Sequence, residues 1–251
     1  MNSIDTDEPP RGLDQHAMTE IIKSLQDNPA TTQEALFRIE WAYLPLLDHD
    51  LGSAPRTLEL RLATDPSFFC EIIALVFRSE KDDWTKQDVG EKGKRVAQNA
   101  YRLLHEWQKV PGRSPDGAFN GDAFSKWLEE VSHRTKESGH YMIAMEQIGQ
   151  VLPHSPPDPN GLWIHCAVAE ALDKKDAREM RSGFTCKLFN MRGVHGFTAG
   201  KEEREIARRY REQAEALEGN GFPRFAAAMR KLAKGYERAA DQESKRDPFE
   251  D

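Results

Sequence analysis

The chain has 251 residues, 38% hydrophobic and 31% charged, with a formal net charge of -7. That length is ample for a packed core, and so high a charged fraction suits amphipathic helices with long solvated faces. The acidic balance argues against general nucleic-acid binding, and no apolar run reaches the roughly 18 residues that a membrane-spanning helix needs.

Residues 1–15 read as an acidic, Pro-rich tail with no apolar run of the signal-peptide kind. A short helix over "HAMTEIIKSLQ" ends at Asp27-Asn28-Pro29. Thr31 and Glu34 then form a capping-box pattern ahead of "EALFRIEWAYLPLLD", where Pro45 should kink or end the helix. "RTLELRLATD" is a short helix. "PSFFCEIIALVFRS" starts on Pro66 and is apolar almost all round, so it should lie centrally.

A charged connector over 79–90 leads to a long helix near Lys92 to Gln108. The loop "KVPGRSPDGAFNGD" follows, with Asp122 placed to cap "AFSKWLEEV". There Phe124, Trp127, Leu128 and Val131 fall at i, i+3, i+4 and i+7. After the Ser138-Gly139 break, "HYMIAMEQIGQVL" is helical. Further helices are expected near Gly161 to Leu172, Lys174 to Met191, Lys201 to Glu218 and Pro223 to Lys245. No segment alternates with period two, so the fold class is all-α: an array of roughly ten antiparallel amphipathic helices, α-solenoid-like or an irregular helical repeat. One helical-array domain is expected over 16–246, with 109–121 as the candidate sub-boundary and 247–251 as a tail.

The stretch "PPDPNGLWIHCAVAEAL" (156–172) carries a histidine and a cysteine in sequence. With the helix starting near Gly161, capped by Asp158 or Asn160, His165 and Cys166 would point about 100° apart, and Cys166 would lie past the first turn, where the dipole is weak. On that geometry the stretch is a packed helix with a polar histidine at its margin. The eight histidines form no HExxH, and no two of them fall at i, i+4 with a carboxylate, so no metal and no cofactor is expected. There is no P-loop, GxGxxG or GxSxG motif, and no catalytic residue is assigned. Cys70, Cys166 and Cys186 are odd in number and lack CxxC spacing, the pattern of a reduced, cytoplasmic chain. The basic run Arg204, Arg208, Arg209 and Arg211 is interleaved with Glu202, Glu203, Glu205 and Glu212, which reads as a salt-bridged solvated face rather than a phosphate stripe.

Trp41, Trp107, Trp127 and Trp163 fall on expected helix faces. Trp84, in a charged connector, is a candidate partner anchor. "MRGVHGFTAGKEE" sets Arg192 and His195 among glycines, where a ligand or partner backbone can approach. With His140 and His165, these make up the candidate binding residues.

The segments "LFRIEWAYLPLLD" (36–48), "DPSFFCEIIALVFRS" (65–79), "AYRLLHEW" (100–107), "SGHYMIAMEQIGQVL" (138–152), "PPDPNGLWIHCAVAEALD" (156–173) and "NMRGVHGFTAGKEER" (190–204) together resemble the C-terminal helical region of large bacterial proteins associated with defence or NTPase-linked loci. The resemblance covers most of the chain after residue 18 and carries over no catalytic residue. It implies a helical module that works as one part of a larger protein or system.

Two functions follow as expectations. The favoured one is a non-enzymatic scaffold or sensor that binds a protein partner or an upstream domain, with nucleic acid less favoured and no membrane association. The alternative is an effector enzyme or nucleic-acid-binding protein whose site is assembled from distant residues, drawn from His140, His165, His195, Arg192, Glu170 and Glu146.

Overall fold

The structure, a computed structural model, describes residues 14–81, 90–113, 118–191 and 198–245. Among them the chain is all-α. Its helices are α1 (Gln15–Asp27), α2 (Gln33–Ala42), α3 (Arg56–Thr64), α4 (Pro66–Val76), α5 (Gly90–Glu106), α6 (Gly121–Ser138), α7 (Tyr141–Val151), α8 (Cys166–Asp173), α9 (Arg178–Asn190), α10 (Lys201–Gly219) and α11 (Pro223–Glu243). Two 3-10 turns, Leu44–Leu46 and Leu152–His154, continue α2 and α7 past prolines that cannot extend an α-helix. Among the described residues, strand-like pairing is limited to isolated bridges such as Asp48 with Ser53. No described helix is long and apolar enough to cross a membrane.

The chain divides into two compact units, residues 1–118 with 126–141, and residues 119–125 with 142–251. The first is built on α2 to α5 and the greater part of α6. Its core centres on three aromatic rings: Phe69 lies 5.5 Å from Trp107 and 5.2 Å from Trp127, and the two tryptophans are 6.2 Å apart. Trp41, Leu58, Leu62, Ile73 and Leu103 of the same unit are buried with 1% exposure or less. Each such side chain contributes about 1.5–3 kcal/mol relative to leaving it in water.

The second unit has its own aromatic trio. Phe184 meets Phe225 edge-on at 5.0 Å, and Trp163 lies 6.0 Å from Phe225 and 6.3 Å from Phe184. The hairpin of α10 and α11 supplies Ala207, Tyr210, Ala214, Met229, Ala233 and Tyr236 to this core, all buried. Helices α7 and α9 meet through glycines. A Cβ on Gly149 would lie 2.1 Å from the Met180 carbonyl oxygen, and one on Gly183 would lie 2.0 Å from that of Glu146. No other residue fits at either place.

Several helices start on caps borrowed from afar. Helix α3 has no side-chain cap of its own, and Glu40 of α2 accepts from Thr57 N (2.9 Å) and Leu58 N (2.9 Å) instead. Asp173 accepts from Arg224 N and Phe225 N at the start of α11, and Glu243 from Thr198 N and Gly200 N ahead of α10. Each carboxylate satisfies N–H groups that a helix start leaves open and faces the positive end of the dipole.

Local expectations shift in four places. The cap of α2 is Thr32, accepting from Ala35 N, one residue beyond Thr31. The cap of α6 is Asn120, accepting from Ala123 N, rather than Asp122. Trp163 lies in the loop before α8, not on a helix, and donates to Gln213 O at 3.2 Å. Helix α8 itself begins at Cys166, not near Gly161, because Asp158 holds the chain in a turn. Gly161 N donates to Asp158 O, Asp158 N to Leu162 O, and the Asp158 carboxylate reaches across to Cys166 N.

Candidate functional site

The late start of α8 changes the chemistry of "PPDPNGLWIHCAVAEAL". His165 is the N-cap and Cys166 the first helical residue, so the two side chains share the mouth of the helix. His165 Nδ1 accepts from Ala167 N at 3.2 Å, which puts the ring proton on Nε2. Cys166 Sγ lies 3.9 Å from the same Nδ1. Asp158 approaches from the preceding turn: Oδ2 accepts from Cys166 N at 2.8 Å and Oδ1 from Asn160 N at 2.9 Å. One ligating atom each from Asp158, His165 and Cys166 falls within 4.8 Å of the others.

Asp158 is buried, His165 half-buried and Cys166 exposed, so the cluster has a fixed floor and a solvent-facing sulfur. The imidazole is held by the second unit's own start of α6. The Phe119 ring lies 4.5 Å from it, and Gly121 leaves the space in which a Cβ would meet Ala167 Cβ at 2.9 Å and the imidazole Cε1 at 3.4 Å.

The electrostatics run against a free nucleophile. A cysteine at the first residue of a helix ordinarily has its thiol lowered by the dipole. Here the Cys166 thiol is pushed up, chiefly by the Asp158 carboxylate beside it and secondly by burial. The neighbouring thiol, with the backbone N–H groups of Asn160 and Cys166, holds the Asp158 carboxyl down to about 2.

The other candidate residues divide by location. Trp84, Arg192 and His195 lie outside the described residues. His140 belongs to the first unit and is 7% exposed, with Nδ1 on Ser138 Oγ at 3.0 Å and Nε2 donating to Phe77 O at 3.1 Å. Both nitrogens are committed to joining the α6–α7 break to the end of α4, so His140 is a structural latch. Glu170 is exposed on α8 and Glu146 half-buried on α7. The arginine run is engaged locally: Arg208 with Glu205 and Glu212, Arg211 with Glu237, Arg209 over the Tyr210 ring, and Arg204 on Ala199 O.

Of the three groups at the head of α8, only His165 stood out in the sequence as a binding residue. Asp158 was visible only as a helix cap, and Cys166 only as packing. The signal that finds them is Asp158-Pro159-Asn160-Gly161, an Asx-turn pattern, which predicts an extended exit and hence a later helix start. No family model, no curated protein and no solved structure matches the chain. The site is therefore read from its own geometry.

Proposed function

We propose that the chain is a helical scaffold or sensor module that binds a protein partner, and that its first unit carries the docking groove. The observation that supports this reading is an open groove of about 730 Å³ lined by Pro45, Val76, Ala97, Tyr101, Arg102 and His105, among others. Tyr101 is 58% exposed there, its ring stacked 6.4 Å from that of His105. Arg102 donates to Leu47 O at 3.3 Å. An apolar wall beside an exposed aromatic suits a partner segment that presents an apolar side chain.

The engaged arginines of α10 favour a protein over nucleic acid as the partner. Three free cysteines fit a reducing cytoplasm. The sequence resemblance extends the reading to a bacterial multi-component system, with anti-phage defence as its setting.

A photo-crosslinking residue in place of Tyr101, introduced in the native host, tests the groove. The expected result is one protein adduct that disappears when Val76→Asp is added. No protein adduct, or one indifferent to Val76→Asp, overturns it. Deleting the gene should raise phage plating efficiency, and unchanged efficiency across a phage panel removes the defence setting while leaving the groove. The alternative of an effector with an assembled site has one observation in its favour, the cluster at the head of α8.

A further inference from the structure

We propose that Asp158, His165 and Cys166 form a binding site for a divalent transition metal of the zinc class, with one coordination position facing solvent. The three donors differ in kind, a carboxylate oxygen, an imidazole nitrogen and a sulfur, and lie within 4.8 Å of one another. A tetrahedral zinc with bonds of about 2.0 Å to nitrogen and 2.3 Å to sulfur sets those two atoms about 3.5 Å apart. The observed Sγ to Nδ1 distance is 3.9 Å, so closure needs only a small rotation of Cys166.

The donor set selects the ion. Calcium and magnesium prefer oxygen ligands throughout, and a monovalent soft ion prefers more sulfur than one cysteine supplies. Mixed O, N and S donors match zinc and its cobalt surrogate. Three protein ligands at an exposed sulfur leave a fourth position for water, the arrangement of open rather than closed zinc sites.

The surroundings already act as an outer shell. Backbone N–H groups of Asn160 and Cys166 orient the carboxylate, which retains lone pairs for a metal. Phe119 and the space at Gly121 fix the ring. The one bond that must be exchanged is the 3.2 Å contact of Ala167 N with Nδ1. On binding, the Cys166 S–H bond breaks, a metal–sulfur bond forms, and one proton leaves to solvent.

The chain carries its own control, because Cys186 is also exposed. Full-length protein is stripped with chelator, then alkylated with iodoacetamide with and without one equivalent of zinc, and each cysteine is read by mass spectrometry. Zinc should protect Cys166 at least tenfold and leave Cys186 unprotected. In parallel, cobalt(II) should give a thiolate-to-cobalt charge-transfer band that Cys166→Ser abolishes and Cys186→Ser leaves intact. Asp158→Asn, which keeps the shape, should weaken zinc binding about tenfold or more. Equal alkylation of Cys166 with and without zinc overturns the proposal, as does a cobalt band that survives Cys166→Ser.

Discussion

Two helix starts, one in each unit, solve the same problem with opposite electrostatics. At the head of α3, Glu40 accepts from Thr57 N and Leu58 N and also from Gln26 Nε2 at 2.7 Å. At the head of α8, Asp158 accepts from Cys166 N and Asn160 N. Glu40 is fully buried and its carboxyl is pushed up, because desolvation outweighs the hydrogen bonds it receives. Asp158 is held down to about 2, because the Cys166 thiol beside it and two backbone N–H groups outweigh desolvation. A carboxylate enclosed among backbone donors and a side-chain amide can only be architecture. One that shares its solvent margin with an imidazole and a thiol has donor atoms to spare for a ligand.

The largest expected effect breaks the comparison at its buried end. Glu40→Ala strands the Thr57 and Leu58 N–H groups at a helix start and removes one of the two acceptors of the Gln26 amide, and should cost about 3 kcal/mol of unfolding free energy by urea titration. A loss below about 1 kcal/mol would mean that water reaches the head of α3 and that the carboxylate is dispensable. Asp158→Ala should cost less, about 2 kcal/mol, because water can replace part of what it supplies. It should also do something that Glu40→Ala cannot. With the carboxylate gone, the helix dipole acts unopposed on Cys166, and the thiol should alkylate faster at neutral pH while Cys186 is unchanged. An unchanged Cys166 rate would show that Asp158 does not control the thiol.

Much of this was legible in sequence where periodicity carries the information. Phe225, Met229, Ala233 and Tyr236 mark α11, and Phe124, Trp127, Leu128 and Val131 mark α6, and all eight are buried in the structure. Local patterning cannot reveal a cap that arrives from another helix, as Glu40, Asp173 and Glu243 do, because the partners lie 17 to 52 residues away. The candidate site was hidden by one boundary. Starting α8 at Gly161 turns His165 and Cys166 onto different faces of a packed helix, while starting it at Cys166 sets them side by side. The apolar run Leu162, Trp163 and Ile164 suggested helix, yet Leu162 and Ile164 are buried in a loop that Asp158 organises.

The imidazole can be disturbed without touching a donor atom. Gly121→Ala places a methyl 2.9 Å from Ala167 Cβ and 3.4 Å from the His165 ring, so one of the three must yield. The cost should be about 1 kcal/mol, below that of Asp158→Ala. It should be accompanied by weaker cobalt binding even though Asp158, His165 and Cys166 are all retained. Unchanged cobalt affinity at reduced stability would separate the packing of α6 from the geometry of the cluster.

The smallest effect is the sharpest in sign. For Glu40 the folded carboxyl titrates above its ordinary value of 4.5, so its contribution is fully present below that pH and is lost as pH rises through the folded value. For Asp158 the folded carboxyl lies near 2 against an ordinary 3.8, so its contribution is present above 3.8 and is lost as pH falls toward 2. The stability gap between the native chain and Glu40→Gln should therefore shrink with rising pH above 4.5. The gap to Asp158→Asn should shrink with falling pH below 3.8. Urea midpoints followed from about pH 6 to about pH 3 read both slopes in one series. Slopes of the same sign would erase the distinction between a carboxylate held by burial and one held by its hydrogen bonds. Opposite slopes would establish that the carboxylate at the head of α8 is held by its hydrogen bonds and the one at the head of α3 by burial.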